Sequence, residues 1–262
     1  MNNIIGYKMR LTYTVRHENS TSFVLNNRVD KDIQSMLSPL NLIQYIMFCP
    51  KYYIKNNFIY PNNIVSNLVS MLGTLLFVLS FVVRTYRQCL IDESLGCNTL
   101  LYVSIYFDGI FYCGLFIMNC IIAIIYTKNN IKFVLTFQKV HRFLNNGTSF
   151  KNFIIWNWVI VISFVCGYVS LFTFFSIQHN SAFYTTFCLN ILIAIDLNII
   201  YAGRVIELLE HKVVLWNIRA VNTPRADGMY TEHFGIKMFQ AYVDILECYN
   251  IYKVCFQHYV SN

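Results

Sequence analysis

Four long apolar stretches divide the chain, at residues 64–83, 100–127, 153–177 and 183–203, with polar connections between them. Each is near or above the roughly 20 residues that a helix needs to cross a ~30 Å hydrocarbon core. The second would be about 40 Å long as a helix, so it is expected to tilt or protrude. In the first, Ser66, Ser70 and Thr74 recur every four residues beside Gly73. In the third, Ser163 and Gly167 form another small face. Small residues at such spacings let helices approach closely in lipid. The fourth stretch carries Asp196 in its inner half and continues without a proline or polar break through RVIELLEHKVVLWNIR. One helix is therefore predicted to leave the bilayer and run on into water.

The flanks follow a different pattern. Residues 1–63 are mixed and polar, with no apolar stretch suited to a cleavable signal peptide. Their one short apolar piece, 42–48, ends at Pro50; it is too short to span and is expected at the interface or against the bundle. KYYIKNNFIYPNN (51–63) alternates aromatic, basic and amide residues, which suits the headgroup zone. Beyond Arg204 the pattern becomes amphipathic. Val205, Leu208, Leu209, Val213 and Trp216 form a stripe, with Glu207, Glu210, His211 and Lys212 off it or at its edge. Pro224 and Gly228 break this helix, and a second amphipathic helix is predicted over 231–259, with Phe234, Met238, Tyr242, Ile245, Tyr249 and Tyr252 as its apolar face.

Composition sharpens this into a class. Of 262 residues, 56% are hydrophobic and 13% charged, against roughly 25% charged in soluble domains. Mean hydropathy is +0.46. The expected architecture is all-α: a polytopic transmembrane helix bundle of four spans (64–83, 100–127, 153–177, 183–203), after a cytoplasmic segment 1–63 and before a cytoplasmic amphipathic tail 204–262. Charge orients it. Placing both termini inside puts 18 of the 20 Lys and Arg on the cytoplasmic side and leaves only Arg84 and Arg87 outside. Setting aside the distal Lys8, Arg10, Arg16, Arg28 and Lys31 still leaves 13 against 2. The net charge of +7 is read as topological rather than as a nucleic-acid footprint, because no single basic stripe stands out. The sequons at Asn19 and Asn146 fall inside in this arrangement and are expected to be unmodified.

Candidate chemistry is sparse. Of nine cysteines, Cys113, Cys120, Cys166 and Cys188 lie in apolar stretches as packing residues, and Cys49, Cys248 and Cys255 are expected as reduced cytosolic thiols. Cys89 and Cys97 share the first outer loop, where an eight-residue separation permits a disulfide without requiring one. Asp108 and Asp196 are the ionisable residues inside the spans, where a charge needs a partner or a watery cavity. Asp108 sits about 12 Å from the outer end of its helix. It could meet a ligand hydroxyl or amine, or hydrogen-bond a Tyr or Ser of a neighbouring span. Asp196 reads more readily as an interhelical polar clamp. Aromatic residues crowd the outer halves of the spans, and Tyr102, Tyr106, Tyr112, Tyr168, Phe172 and Tyr184 with Asp108 are the candidate ligand-binding set. An interfacial belt and ordinary packing would explain the same rings. Glu207, Glu210 and His211 read as a solvated helix face. H-E-x-x-H, a Gly-rich phosphate loop and G-x-S-x-G have no counterpart, so neither an enzyme nor a metal or cofactor is expected.

SMLSPLNLIQYIMFCPKYYIKNNFIYPNNIV (35–65) resembles the N-terminal region of insect gustatory receptors, especially the lepidopteran branch. LWNIRAVNTPR and FQAYVDILECYNIYKVCFQ resemble the cytoplasmic segment before that family's fifth span. The resemblance implies a multi-pass plasma-membrane receptor: a ligand-gated cation channel with a small tastant bound in the outer half of each bundle. It also implies association with lipid and with other gustatory receptor subunits through an intersubunit anchor. The family's last-span signature, Thr-Tyr, five apolar residues and Gln-Phe, has no counterpart here. The chain is thus expected to be truncated before the fifth span, and no pore or gating residue carries over. Three other classes compete with this one. A G-protein-coupled receptor fragment requires an N-outside topology, which the charges oppose. A small transporter would be marked by broken helices in paired halves. A non-conducting product could modulate full-length subunits through its tail.

Overall fold

The computed structural model describes residues 27–93, 99–144, 150–178, 183–222 and 229–260. Side chains at 88–93, 99–102, 105, 108, 150, 175, 183–195, 229–232 and 257–260 lie outside the description. Within it the chain is mostly helical. The element order is α1 (Lys31–Ile46), β1 (Tyr53–Lys55), β2 (Phe58–Tyr60), α2 (Ile64–Glu93), α3 (Thr99–Ile125), α4 (Thr127–Leu144), α5 (Phe150–Gln178), α6 (Phe183–Val221) and α7 (Met229–Val260).

Two helices among the described residues, α2 over Ile64–Arg87 and α5 over Lys151–Gln178, are long and apolar enough to cross a membrane. A third span results if Gly109–Ile125 and Thr127–Leu144, which meet at 62°, count as one. Thr127 marks that bend. Its hydroxyl donates to the Ala123 and Ile124 carbonyls at 2.8 and 3.0 Å, a back-bond that tends to bend helices. The expected fourth span, 183–203, falls within α6, and most of its side chains lie outside the described residues. As the unbroken sequence predicts, α6 is one helix of 39 residues that extends well past Arg204.

The short piece before Pro50 belongs to a full helix. α1 runs through Pro39 and buries Ile33, Met36, Leu37, Leu40 and Ile43. It packs mainly on α5 and also meets α6. Its C-terminus closes in a Schellman turn. Cys49 N–H donates to Gln44 O and Phe48 N–H to Tyr45 O, with Phe48 left-handed at φ 57°. That turn aims the Phe48 ring at α2. A Cβ added at Gly73 would lie 2.6 Å from Phe48 Cγ, so the small face of the first span receives the N-terminal segment. The expectation for α5 fails in another way: Ser163 and Gly167 are exposed, and nothing lies within 4 Å of where a Gly167 Cβ would be.

YIKNNFIY, whose composition suits the headgroup zone, forms a hairpin. Asn56 and Asn57 both take positive φ, as a two-residue type I′ turn requires. Residues 27–29 extend its edge through Val29 N–H to Asn57 O and Ile59 N–H to Asn27 O. The main core gathers α1, the hairpin, α4, α6 and α7 around Ile33, Ile59, Ile131, Phe137, Leu208 and Cys248. The buried face of α7 is rotated from the predicted one. Met238 and Ile245 are buried, but Tyr242 and Tyr249 are exposed, and Ala241, Cys248 and Cys255 take the inner positions. These small residues let α4 approach, and Cys248 Sγ reaches Phe133 O at 3.9 Å.

Candidate functional site

The predicted outer site is only partly drawn together. Asp108, Tyr102 and Tyr184 have side chains outside the described residues, as do Cys97 and the side chain of Cys89. Tyr106 on α3 is exposed. Tyr112 is half-buried, its ring 5.8 Å from Phe111, and comes within electrostatic reach of Tyr168. On α5, Phe164, Tyr168 and Phe172 form a row of tilted ring contacts with centroids 4.9 and 5.2 Å apart. The Tyr168 hydroxyl donates to Asp196 Oδ2 at 2.5 Å. This bond ties α5 to α6 and is the interhelical clamp that the sequence assigned to Asp196. Two residues further along α6, Gln44 Nε2 of α1 donates to Asn198 Oδ1 at 3.2 Å.

A second polar constellation lies where α5 enters and α6 leaves the apolar layer. Asn157 is wholly buried. Its Nδ2 donates to Met36 O at 2.9 Å and its Oδ1 accepts from Arg204 Nε at 2.6 Å. The Arg204 guanidinium also pairs with Glu207 one turn on and lies 4.5 Å from the Phe153 ring centroid. Around it opens a cleft of about 170 Å³, lined by Asn152, Phe153, Trp156, Arg204, Glu207, Leu208 and His211. Burial, then the Lys212 charge, pulls the His211 imidazole below its ordinary value. Glu207 and His211, read from the sequence as a solvated face, thus share this cleft with an arginine. Among the described residues, no three His, Cys, Asp or Glu side chains converge as metal ligands.

Below this level two lysines are buried. Lys51 Nζ lies 4.0 Å from the Tyr201 ring centroid and 4.1 Å from that of Phe256. This cation–π cage joins the N-terminal segment to α6 and α7. Burial pulls its ammonium down to about 7. Lys212, expected at the edge of the α6 stripe, is fully buried. Its Nζ meets His141 Nδ1 at 3.1 Å and the Phe137 ring centroid at 5.7 Å. The aliphatic stem packs like an apolar residue while its head finds a partner on α4. Burial lowers Lys212 to about 7, and burial with the Lys212 charge lowers His141 to about 4. Beside them Arg142 grips Asp30 through two bonds of 2.7 Å. Gln138 accepts from Asp30 N–H and donates to Arg28 O, each at 2.9 Å.

Cysteines line the same junction. Cys49 and Cys120 sit together with Ala123 in a small buried cluster. The hydrogen bond between the two thiols, then burial, pushes the Cys49 thiol well up. Cys113, Cys248 and Cys255 are buried, whereas Cys166 is exposed. The residues that sequence reading missed are Lys51, Asn157, Arg204 and Gln138. All are polar groups whose partners lie far off in sequence; the only local signal was their position beside apolar runs. In comparisons with protein-family models, curated proteins and solved structures, nothing matches this chain.

Proposed function

We propose that the chain is a membrane receptor subunit of the gustatory type, which senses small organic tastants in the outer half of a four-span bundle with both termini in the cytoplasm. The observation that carries this reading is the continuity of α6. One helix of 39 residues joins the membrane bundle to the soluble layer, and Asp196 on its apolar part is held by Tyr168 of α5. A ligand that displaced the Tyr168 hydroxyl would act directly on a rigid element leading to the tail. The 18-to-2 distribution of Lys and Arg supports the orientation. The sequence resemblance of 35–65 and of the tail supports the family.

Association with other receptor subunits is part of this reading. α7 exposes Ile236, Phe239, Val243 and Leu246, spaced as on the seam of a paired helix. That stripe favours a role that includes modulation of partner subunits. The test is expression in cultured cells with calcium imaging across a tastant panel, the chain alone and together with full-length gustatory receptors. A tastant response, or a shifted dose–response of the partner, that is abolished by Asp108→Asn and weakened by Tyr168→Phe is expected. Glycosylation reporters inserted at 94–98 should be modified and those at 145–149 should not. The reverse pattern would overturn the topology, and indifference to every tastant in both settings would overturn the receptor role.

A further inference from the structure

The cleft at the foot of α5 has a composition that neither the receptor reading nor the family resemblance uses. It opens beside Asn152, Phe153 and Trp156, at the start of the apolar helix Lys151–Gln178. It therefore sits at the boundary between hydrocarbon and water, where lipid headgroups lie. Its volume of about 170 Å³ falls short of the roughly 300–1,000 Å³ of pockets that enclose drug-sized ligands. A small polar group fits such a space better than a whole tastant.

The charges in the cleft are of both signs. Arg204 is held in place by Asn157 and by the Phe153 ring. A guanidinium has five N–H donors; Arg204 uses one on Asn157 and one on Glu207, and among the described residues no other acceptor takes the rest. Glu207 keeps an exposed carboxylate in the same space, and the exposed Trp156 ring forms one wall. A purely anionic group would be repelled by Glu207, and a lone cation by Arg204. A group carrying a phosphodiester and an ammonium satisfies both, with the ammonium against the indole face.

Above the cleft the same side of α5 continues through Val159, Ser163 and Gly167, at steps of three and four residues. All three are exposed, and nothing lies within 4 Å of a Gly167 Cβ. This open track of Val, Ser and Gly leads away from the cleft along the apolar helix, where an acyl chain would run.

We propose that this cleft binds the zwitterionic headgroup of a phospholipid, with the phosphate on Arg204, the ammonium between Glu207 and the Trp156 ring, and an acyl chain along Val159–Ser163–Gly167. The proposal rests on α5 lying in a bilayer and is independent of tastant sensing. Resistance of the expressed chain to alkaline carbonate extraction checks membrane insertion by itself.

The experiment is native mass spectrometry of the full chain in detergent, titrated with phosphatidylcholine, phosphatidylglycerol or soluble glycerophosphocholine. The unaltered chain should retain one phosphatidylcholine in preference to phosphatidylglycerol. Trp156→Ala should lower that retention about fivefold. Glu207→Gln should lower it about tenfold while raising retention of phosphatidylglycerol. Both positions are exposed enough to leave the fold intact, which an unchanged circular dichroism spectrum would verify. Equal retention of the two lipids by the unaltered chain, or phosphatidylcholine retention indifferent to both substitutions, overturns the site. Retention of glycerophosphocholine in place of the lipid overturns the lipid assignment.

Discussion

The membrane helices and the layer beneath them are built from similar apolar side chains but packed under different rules. In α5, 6% of the residues in the apolar window are buried, and in α2, 28%. Their Leu, Ile, Val and Phe side chains mostly face outward. α2 and α3 meet through a small cluster of Phe77, Phe81, Cys113 and Phe116. The layer formed by 27–60, α4, the distal half of α6 and α7 instead shares a continuous core, which reaches up to Val161 of α5 and Leu197 of α6. It also buries Lys51, Asn130, Gln138, His141 and Lys212. The contrast fits a difference in surroundings. A helix in hydrocarbon can turn its Leu side chains outward at no cost, whereas a core closed away from solvent must give each polar group that it buries a partner.

Matched pairs of substitutions break or sharpen this contrast. The largest expected effect is Phe137→Ala, which empties the centre of the soluble core and should remove about 3–5 kcal/mol, seen as a lower midpoint of thermal unfolding. Phe174→Ala, in the outer part of α5, should leave that midpoint nearly unchanged. Next, Ile162 and Val214 are similarly exposed, 53% and 48%. Ile162→Lys should oppose membrane insertion by about 2.5–3.5 kcal/mol, measured as the glycosylated fraction in an insertion assay. Val214→Lys, on an exposed face of the distal half of α6, should stay within about 0.5 kcal/mol. Equal effects at the two sites would erase the distinction between the layers.

A smaller effect is expected where the layers join. Asn157→Ala strips a partner from both Met36 O and Arg204 and should cost about 1–3 kcal/mol, with faster hydrogen exchange in α1. The smallest is a pH effect confined to the soluble layer. His141 is held near 4 against an ordinary 6.5. Between those values the unfolded chain takes up a proton that the folded one does not, so stability falls as pH drops from 6.5 toward 4. Lys212, held near 7 against 10.5, gives a rise in stability from pH 7 upward. The hydrogen-exchange protection of α4, corrected for the pH dependence of intrinsic exchange, should fall on acidification while that of α2 stays constant.

What the sequence made legible divides along the same line. Apolar runs are a property of single segments, so α2, α3, α5 and the continuity of α6 could be read directly. The soluble layer depends on partners distant in the chain. α1 was hidden by Pro39, which breaks the local helical pattern although the helix runs through it. The hairpin was signalled by Asn56-Asn57 between short β-favouring runs, a turn cue masked by the interfacial composition around it. α4 falls in a stretch that registered only as a polar connection, yet it carries its apolar residues at helical spacing. The inner face of α7 was displaced toward its tyrosines because aromatic bulk outweighs Ala241, Cys248 and Cys255 in any pattern count. Lys212 could not be called buried without knowing that His141 and Phe137 lie opposite. The outer aromatic residues were identifiable, but their meeting was not, apart from the acid that Tyr168 engages.

The N-terminal segment also sets a schedule. Its anchors are Gln138, Arg142, Asn157 and Asn198, all translated more than a hundred residues after the groups they hold. Ile33, Met36, Leu37 and Leu40 leave the ribosome before α4, α5 or α6 exists to cover them. α1 is therefore made before its partners and completed only after them, its apolar face uncovered until α4, α5 and α6 have followed. A chaperone occupying 31–48 during that interval, or misdocking there when α5 is delayed, would govern how much of the chain matures.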